Sequence, residues 1–115
     1  MMKFYYHKKC STCKSALDYL NNLGVDLELI DIVENNPDYE TLKSWVDNYN
    51  IEVKKLFNTS GIKYRELNLK DKLKAMTIDE SLKVLATDGM LVKRPILINE
   101  NKIIIGKKLE EYKTL

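Results

Sequence analysis

Two cysteines lie three positions apart near the start of the chain, in the stretch HKKCSTCK (residues 7–14). These are Cys10 and Cys13, and the chain has no other cysteine. Three lysines flank the pair within the same stretch. A cysteine thiolate can exchange disulfides or bind a soft metal, and a neutral cysteine can pack as a small apolar residue. The pair is therefore a candidate redox couple, half of a metal site, or inert packing.

Redox chemistry is the leading interpretation of the three. A structural zinc site takes four ligands, and the chain offers only Cys10, Cys13 and its single histidine, His7, so zinc would require a second chain. Inert packing is disfavoured because structural cysteines lie in apolar surroundings rather than among cations. We interpret His7 as a strand-end residue rather than a base or a ligand. We predict no metal and no organic cofactor.

The two sulfurs are expected to have different roles. The pattern after Ser11 predicts a helix, so Cys10 would stand where unpaired backbone N–H groups and the positive end of the helix dipole favour a thiolate. Lys8, Lys9 and Lys14 add positive charge nearby. One helical turn separates the Cα atoms by roughly 5–6 Å, which permits a disulfide without backbone movement. We therefore predict that Cys10 is the nucleophile, and that Cys13 is the resolving thiol that releases a mixed disulfide.

The elements that would position this pair follow from hydrophobic periodicity, caps and turns. We predict, in order, a strand at residues 4–6, a helix from Ser11 to Gly24, a strand at 25–32, a helix opened by Asn36-Pro37 with asparagine as its cap, a turn at 57–61, helical pieces through Leu73, a helix opened by the capping box Thr77–Glu80 and ended at Asp88-Gly89, a hairpin of 96–98 and 103–105, and a last helix at 107–115. A CxxC beside a βαβ unit is typical of thioredoxin-like redox proteins. The predicted fold is α/β, thioredoxin-like (glutaredoxin-like), with a helical insertion between the βαβ and ββα halves, in one domain of residues 1–115.

Charge and composition bound the partners. Nineteen basic and seventeen acidic residues give a net charge of +2, which argues against direct DNA binding and against an anionic membrane as partner. No apolar run approaches the ~18 residues of a membrane span, and the N-terminus has no secretory signal pattern. We therefore predict a cytoplasmic protein. Thiols are kept reduced in that compartment, so a bond between the cysteines would be transient.

Three segments, FYYHKKCSTCKSALDYL, LFNTSGIKYRELNL and DGMLVKRPILI, resemble the arsenate reductase–Spx family. The resemblance runs from Phe4 to about Tyr112 and combines the CxxC with a KRPI segment some eighty residues later. It implies a thioredoxin-like fold with a helical insert. It also implies that the nucleophilic cysteine is Cys10, and that the family's arginine before a proline is Arg94. That proline, Pro95, would be cis and opposite the active cysteine.

Within that family the arginines argue against a true arsenate reductase. Glutaredoxin-coupled arsenate reductases surround the oxyanion with three arginines and usually carry a lone cysteine in this loop. Here Asn58 stands at the first arginine position and Gly106-Lys107 near the third, so only Arg94 remains. We expect weak or absent arsenate reduction.

The Spx-type regulators match better at the CxxC and at the arginine before proline. They contact the RNA polymerase α subunit through a glycine after the second helix, and the corresponding residues 48–54 contain no glycine. The chain also ends soon after Tyr112, without the regulators' longer C-terminal extension. The best match is the CxxC-bearing, arsenate-reductase-like branch beside Spx and MgsR, found in bacteria.

The sequence thus predicts a small thiol–disulfide redox protein that could act as a reductase. The alternatives are a redox-sensing regulator that binds the RNA polymerase α subunit, and a glutaredoxin-coupled arsenate reductase. The expected partners are a thiol or disulfide substrate or a small oxyanion, with glutathione, glutaredoxin or thioredoxin as electron donor. The segment NTSG offers Asn58 and Ser60, beside Pro95, as substrate or anion contacts, because such residues suit an anion nest; the alternative is a polar connector between helices.

Overall fold

The strands and helices occur in the predicted order. A computed structural model describes all residues 1–115. The elements are β1 (Met2–Tyr6), α1 (Ser11–Asn22), β2 (Leu27–Asp31), α2 (Tyr39–Tyr49), α3 (Ile62–Glu66), α4 (Leu69–Lys72), α5 (Ile78–Leu85), β3 (Ile96–Ile98), β4 (Ile103–Ile105) and α6 (Leu109–Tyr112), with 3₁₀ turns at Val53–Leu56, Leu73–Ala75 and Gly89–Leu91. None of the helices combines the length and apolar character that crossing a membrane would require.

Backbone contacts divide the chain into two compact units. The first contains residues 1–31 and 94–115, and the second contains residues 32–93. The second unit is the helical insertion that the sequence predicted between β2 and β3. That residues 1–115 behave as one domain stays a prediction.

The first unit is built on a four-stranded sheet with the order β2-β1-β3-β4. β1 and β2 run parallel, whereas β3 is antiparallel to both of its neighbours, β1 and β4. Tyr6 pairs with Asp31, so β1 and β2 end at the same edge of the sheet, and the cysteine loop starts there. This mixed sheet, with α1 as the crossover between the parallel strands, is the thioredoxin-like fold that the sequence predicts.

One face of α1 packs on this sheet because its apolar residues recur at three and four positions. The buried core of the unit consists of Phe4, Ala16, Leu20, Leu97, Ile104 and Tyr112. Tyr112 lies in α6, and its buried hydroxyl donates a hydrogen bond to the Gly106 carbonyl over 3.1 Å. Burial raises the pKa of Tyr112 to about 12. The hydrogen bond joins α6 to the end of β4.

In the second unit α2 packs against α5, and the predicted cap of α2 is wrong. The helix begins at Tyr39, and Asp38 caps it by accepting a hydrogen bond from the Thr41 amide over 2.8 Å. The Asn36 side chain instead donates to the Ala86 carbonyl over 2.9 Å. A cap must lie directly before the first helical residue to reach the amides of the first turn, and Asp38 occupies that position.

Other boundaries differ by a few residues. The capping box of α5 is confirmed, with Thr77 accepting from the Glu80 amide and Glu80 accepting from the Thr77 amide. That helix ends at Leu85, before the predicted Asp88-Gly89. The last helix spans only Leu109–Tyr112, because flanking charged residues give it no apolar face to bury beyond one turn.

Candidate redox site

Cys10 stands directly before α1 and caps it with its sulfur. Its backbone is extended (φ −95°, ψ 109°), and its Sγ accepts a hydrogen bond from the Cys13 amide over 3.2 Å. The Cys10 carbonyl accepts from the Lys14 amide, which closes the first turn of the helix. The side chain is half-buried. The sulfur therefore faces the unpaired N–H groups of the helix start, as the sequence predicts, and is accessible to a substrate.

Cys13 lies in the first turn of α1, on the face that packs into the core. Its side chain is only 2% exposed. Burial, and to a smaller extent the hydrogen bond with the Cys10 side chain, raise the pKa of the Cys13 thiol from 9.0 to about 12. The backbone of His7 and the positive charge of Arg94 act in the opposite direction. Both cysteines are free thiols in this structure. At neutral pH Cys13 is thus a protonated, protected thiol.

The flanking lysines are not equivalent. The Lys8 ammonium lies 4.0 Å from the carboxylate of Asp31, which is 9% exposed at the end of β2. This ion pair directs the Lys8 charge toward β2. Lys107, which follows β4, donates a hydrogen bond from its ammonium to the Ser15 hydroxyl over 2.7 Å and so brings a cation to α1. The sequence did not indicate that Asp31 pairs with Lys8. It pointed to Lys107 only as a position near which the family's third arginine is absent.

Arg94 and Pro95 lead into β3 in the same unit as the cysteines. The peptide bond between them is cis, as the family resemblance implies. Pro95 is buried, and its carbonyl accepts a hydrogen bond from the Gly106 amide over 2.7 Å. The Arg94 charge is close enough to Cys13 to lower the pKa of that thiol. The structure thus brings Cys10, Cys13, Arg94 and Pro95 together in one unit.

Asn58 and Ser60 belong to the second unit, in the turn before α3. The Asn58 amide donates to the Leu91 carbonyl over 2.8 Å, and the Asn58 carbonyl accepts from the Gly61 amide over 3.1 Å. A Cβ atom at Gly61 would lie 2.7 Å from the Asn58 side-chain nitrogen, so a larger residue there would displace the Asn58 side chain. Asn58 is half-buried and Ser60 is exposed. Their anion-binding role stays a prediction.

No group of three or more histidine, cysteine, aspartate or glutamate side chains is arranged to hold a metal ion. Cys10 and Cys13 are two free thiols, with Cys10 half-buried at a helix start and Cys13 buried one turn away. Such a pair can form a mixed disulfide at the first sulfur and resolve it with the second.

Comparisons with known proteins agree with this fold. The sequence model of the ArsC family matches residues 5–115. The Bacillus subtilis protein YusI is 44% identical over 111 residues, covering 96% of this chain and 94% of YusI. An ArsC-family-related protein from Bacteroides fragilis has a crystal structure that superposes with a TM-score of 0.94 at 41% identity, covering 98% of this chain and 95% of that one. For the crystal structure of a possible arsenate reductase from Streptococcus mutans UA159, the TM-score is 0.87 at 48% identity, with 94% and 92% covered.

More distant relatives have different names. The regulatory protein MgsR of Bacillus subtilis is 25% identical over 91% of this chain and 82% of its own length, and an arsenate reductase of Neisseria meningitidis is 24% identical over 99% and 97%. The sheet order and the CxxC pair at the start of α1 define a thioredoxin-like protein. Within that class, the chain belongs to the ArsC family.

Proposed function

We propose that this protein is a small thiol–disulfide oxidoreductase in which Cys10 attacks and Cys13 resolves. The observation that carries the proposal is the contrast between the two sulfurs. Cys10 is half-buried at the start of α1, whereas Cys13 is buried and its thiol has a pKa raised to about 12. Disulfide exchange requires an accessible thiolate as the first nucleophile, so the order of attack follows.

The reaction proceeds in two exchanges. The Cys10 thiolate attacks one sulfur of a substrate disulfide, forms a mixed disulfide and expels the other sulfur as a thiolate. The Cys13 thiol then loses its proton to solvent and attacks Sγ of Cys10, which releases the second substrate thiolate and leaves a Cys10–Cys13 disulfide. A two-electron thiol reductant of the glutathione or thioredoxin class returns the protein to the dithiol form.

Arg94 supports the second exchange. Cys13 must ionise in order to attack, and its burial opposes this ionisation. The positive charge of Arg94 lowers the pKa of Cys13 and so offsets part of the cost. Its permanently charged guanidinium keeps this role at every pH at which the protein is folded.

The test is the reduction of a glutathionylated model peptide by the protein. The rate is measured as NADPH consumption in the presence of glutathione and glutathione reductase. Cys10→Ser should abolish the protein-dependent rate. Cys13→Ser should accumulate a mixed disulfide on Cys10 that mass spectrometry detects. A Cys10→Ser variant that retains the full rate would rule out the proposal.

A second candidate is a redox-sensing regulator, favoured by the similarity to MgsR. In that function the same disulfide would change the affinity for a protein partner, and no substrate would be turned over. Pull-down of the RNA polymerase α C-terminal domain by the oxidised and the reduced chain distinguishes the two. Binding that depends on the disulfide, with no peptide reduction, would favour the regulator.

A further inference from the structure

The second unit contains a cavity that the redox chemistry does not use. Its volume is about 150 Å³, and all of its lining residues belong to the 32–93 segment. The rings of Phe57 and Tyr64 meet edge to face in its wall, with centroids 6.1 Å apart. The other apolar lining residues are Val53, Leu73, Met76 and Ile78. Met76 suits such a wall because methionine adapts its shape and makes favourable contacts with aromatic rings.

The size of the cavity restricts its occupant. An apolar cavity of about 150 Å³ takes up a molecule of the size of benzene. Sites for drug-sized ligands have volumes of about 300–1,000 Å³, so a nucleotide or another large cofactor would not fit. The occupant that fits has an apolar body of about one aromatic ring.

The charge at the cavity restricts the occupant further. Lys54, Lys70 and Lys74 are exposed and line the cavity, and no acidic residue lines it. Lys74 has an exposed ion pair with Asp71, with Nζ 3.9 Å from Oδ1. Three ammonium groups around an apolar chamber are complementary to an anion that carries an apolar group.

Ser81 supplies a polar group inside the cavity. It lies on α5, lines the cavity, and is only 3% exposed. Its backbone amide donates a hydrogen bond to the Thr77 carbonyl over 3.0 Å, which holds the residue in the first turn of α5. A serine hydroxyl can donate and accept at the cavity wall, so it can bind a polar atom on the occupant.

We propose that this cavity binds a small aromatic carboxylate of about the size of benzoate. The ring occupies the apolar chamber, the carboxylate pairs with the lysines, and a hydroxyl on the ring adds a contact with Ser81. This binding is independent of the thiol chemistry, because none of the residues involved takes part in it.

The experiment is a titration of the full reduced chain with each of three probes: benzoate, benzyl alcohol and acetate. Binding is measured by ¹H–¹⁵N NMR. Benzoate should shift the amides of the cavity residues saturably, with a Kd on the order of 1 mM, as expected for so small a ligand. Benzyl alcohol, which has the ring without the charge, and acetate, which has the charge without the ring, should each bind at least about fivefold more weakly. No saturable shift with benzoate, or equal binding of benzyl alcohol, would overturn the proposal.

Matched variants test the lysines. Lys70→Ala combined with Lys74→Ala should weaken benzoate binding roughly tenfold, since each exposed charge pair is worth up to about fivefold. Lys72→Ala is the control, because Lys72 is exposed between them on the same segment but does not line the cavity. Equal weakening by the double variant and the control would show only general surface charge and would overturn the proposal.

Ser81→Ala tests the polar contact. The wild-type chain should bind 4-hydroxybenzoate more tightly than benzoate, and the variant should lose this preference while it still binds benzoate. An unchanged preference would overturn the role of Ser81. A short acidic peptide with one phenylalanine is the last probe, and binding of it much tighter than benzoate would show that a polypeptide is the occupant instead.

Discussion

The backbone amide of Cys13 donates a hydrogen bond to Sγ of Cys10, with 3.2 Å between the two atoms. This contact places the Cys10 sulfur over the first turn of α1, the same turn that contains Cys13. It couples an accessible sulfur to a buried one. The two roles proposed for the pair, attack and resolution, rest on this difference in burial.

The first prediction is that mild oxidation joins Cys10 to Cys13 within one chain. Both are free thiols, and their position within one turn permits the bond without backbone movement. Treatment with oxidised glutathione should remove both thiols, as counted with Ellman's reagent. Peptide mapping should then find the two cysteines in one disulfide. Cys13→Ser is the control and should retain glutathione on Cys10. Intermolecular disulfides as the main product would contradict the prediction.

The second prediction concerns stability at alkaline pH. The pKa of Cys13 is 9.0 ordinarily and about 12 in the fold, so the folded state holds this proton more tightly than the unfolded state does. The resulting stabilisation is complete below about pH 9 and is lost as pH rises through about 12. Over that interval the free energy of unfolding of the wild-type protein should decrease as the pH rises. Cys13→Ala should reduce the slope of this decrease by up to about 1.4 kcal/mol per pH unit. Guanidinium titrations of the reduced protein at successive pH values measure this.

Tyr112 provides the control for that experiment. Its pKa is also raised, from 10.0 to about 12, so it contributes a similar slope that begins at higher pH. Tyr112→Phe should leave the decrease in the free energy of unfolding between pH 9 and 10 unchanged. It should make that decrease smaller only above this interval. If wild type and Cys13→Ala give parallel curves, the ionisation of Cys13 is not linked to folding.

Local sequence patterns sufficed for much of the fold and for the position of Cys10 at the start of α1. The start of α1 follows from the change to helical periodicity after Ser11, and that start alone puts Cys10 at the cap. The burial of Cys13 was missed, although a readable signal existed. Cys13 precedes Ala16 by three residues, and Leu20 follows Ala16 by four, so all three share the stripe that faces the core.

The remaining contacts of the site could not be read from local patterns. The ion pair of Lys8 with Asp31 depends on the register of the parallel strands, which no short segment specifies. The contact of Lys107 with Ser15 joins residues ninety-two positions apart. The Asn36 cap was mispredicted because Asp38 is an equally good capping residue two positions later, and only the actual start of the helix distinguishes them.

The third prediction is that the wild-type chain reduces arsenate poorly. The family resemblance implies that Asn58 and the Gly106-Lys107 segment take the positions at which the dedicated reductases carry arginines. Removal of one oxyanion donor typically costs on the order of 10²–10³ in rate. Arsenate-dependent NADPH oxidation with glutathione, glutaredoxin and glutathione reductase should therefore fall at least ~100-fold below that of a dedicated reductase. A comparable rate would contradict this prediction.

A gain-of-function variant makes this test more direct. Lys107→Arg restores a guanidinium without backbone strain, whereas an arginine at Gly106 would be strained because that residue has φ +84°. Lys107→Arg should raise the arsenate-dependent rate by about tenfold if a bidentate donor is what the site lacks. Lys108→Arg, an exposed neighbour, is the matched control and should have no effect.

The last prediction is that Arg94 accelerates the resolving step. After glutathione is attached to Cys10, the Cys13 thiol must ionise before it can attack. Arg94 lowers the pKa of Cys13, so loss of its charge should leave less thiolate at a given pH. Arg94→Ala should slow the release of glutathione about twofold to threefold, because the charge of Arg94 is the smallest of the causes that act on this pKa. Stopped-flow measurement of glutathione release from the preloaded protein, with Cys13→Ser as the zero-rate baseline, gives this rate.

Two further variants separate the charge of Arg94 from other effects. Arg94→Lys keeps the positive charge but loses the planar fork, so it should restore most of the resolving rate while remaining a poorer ligand for a bidentate anion. Lys93→Ala removes a cation from the adjacent position and should leave the rate unchanged, since Lys93 does not influence the pKa of Cys13. Equal slowing by Arg94→Ala and Lys93→Ala would mean that only the general surface charge matters. Wild-type rates in Arg94→Ala would show that the resolving thiol ionises without help from this arginine.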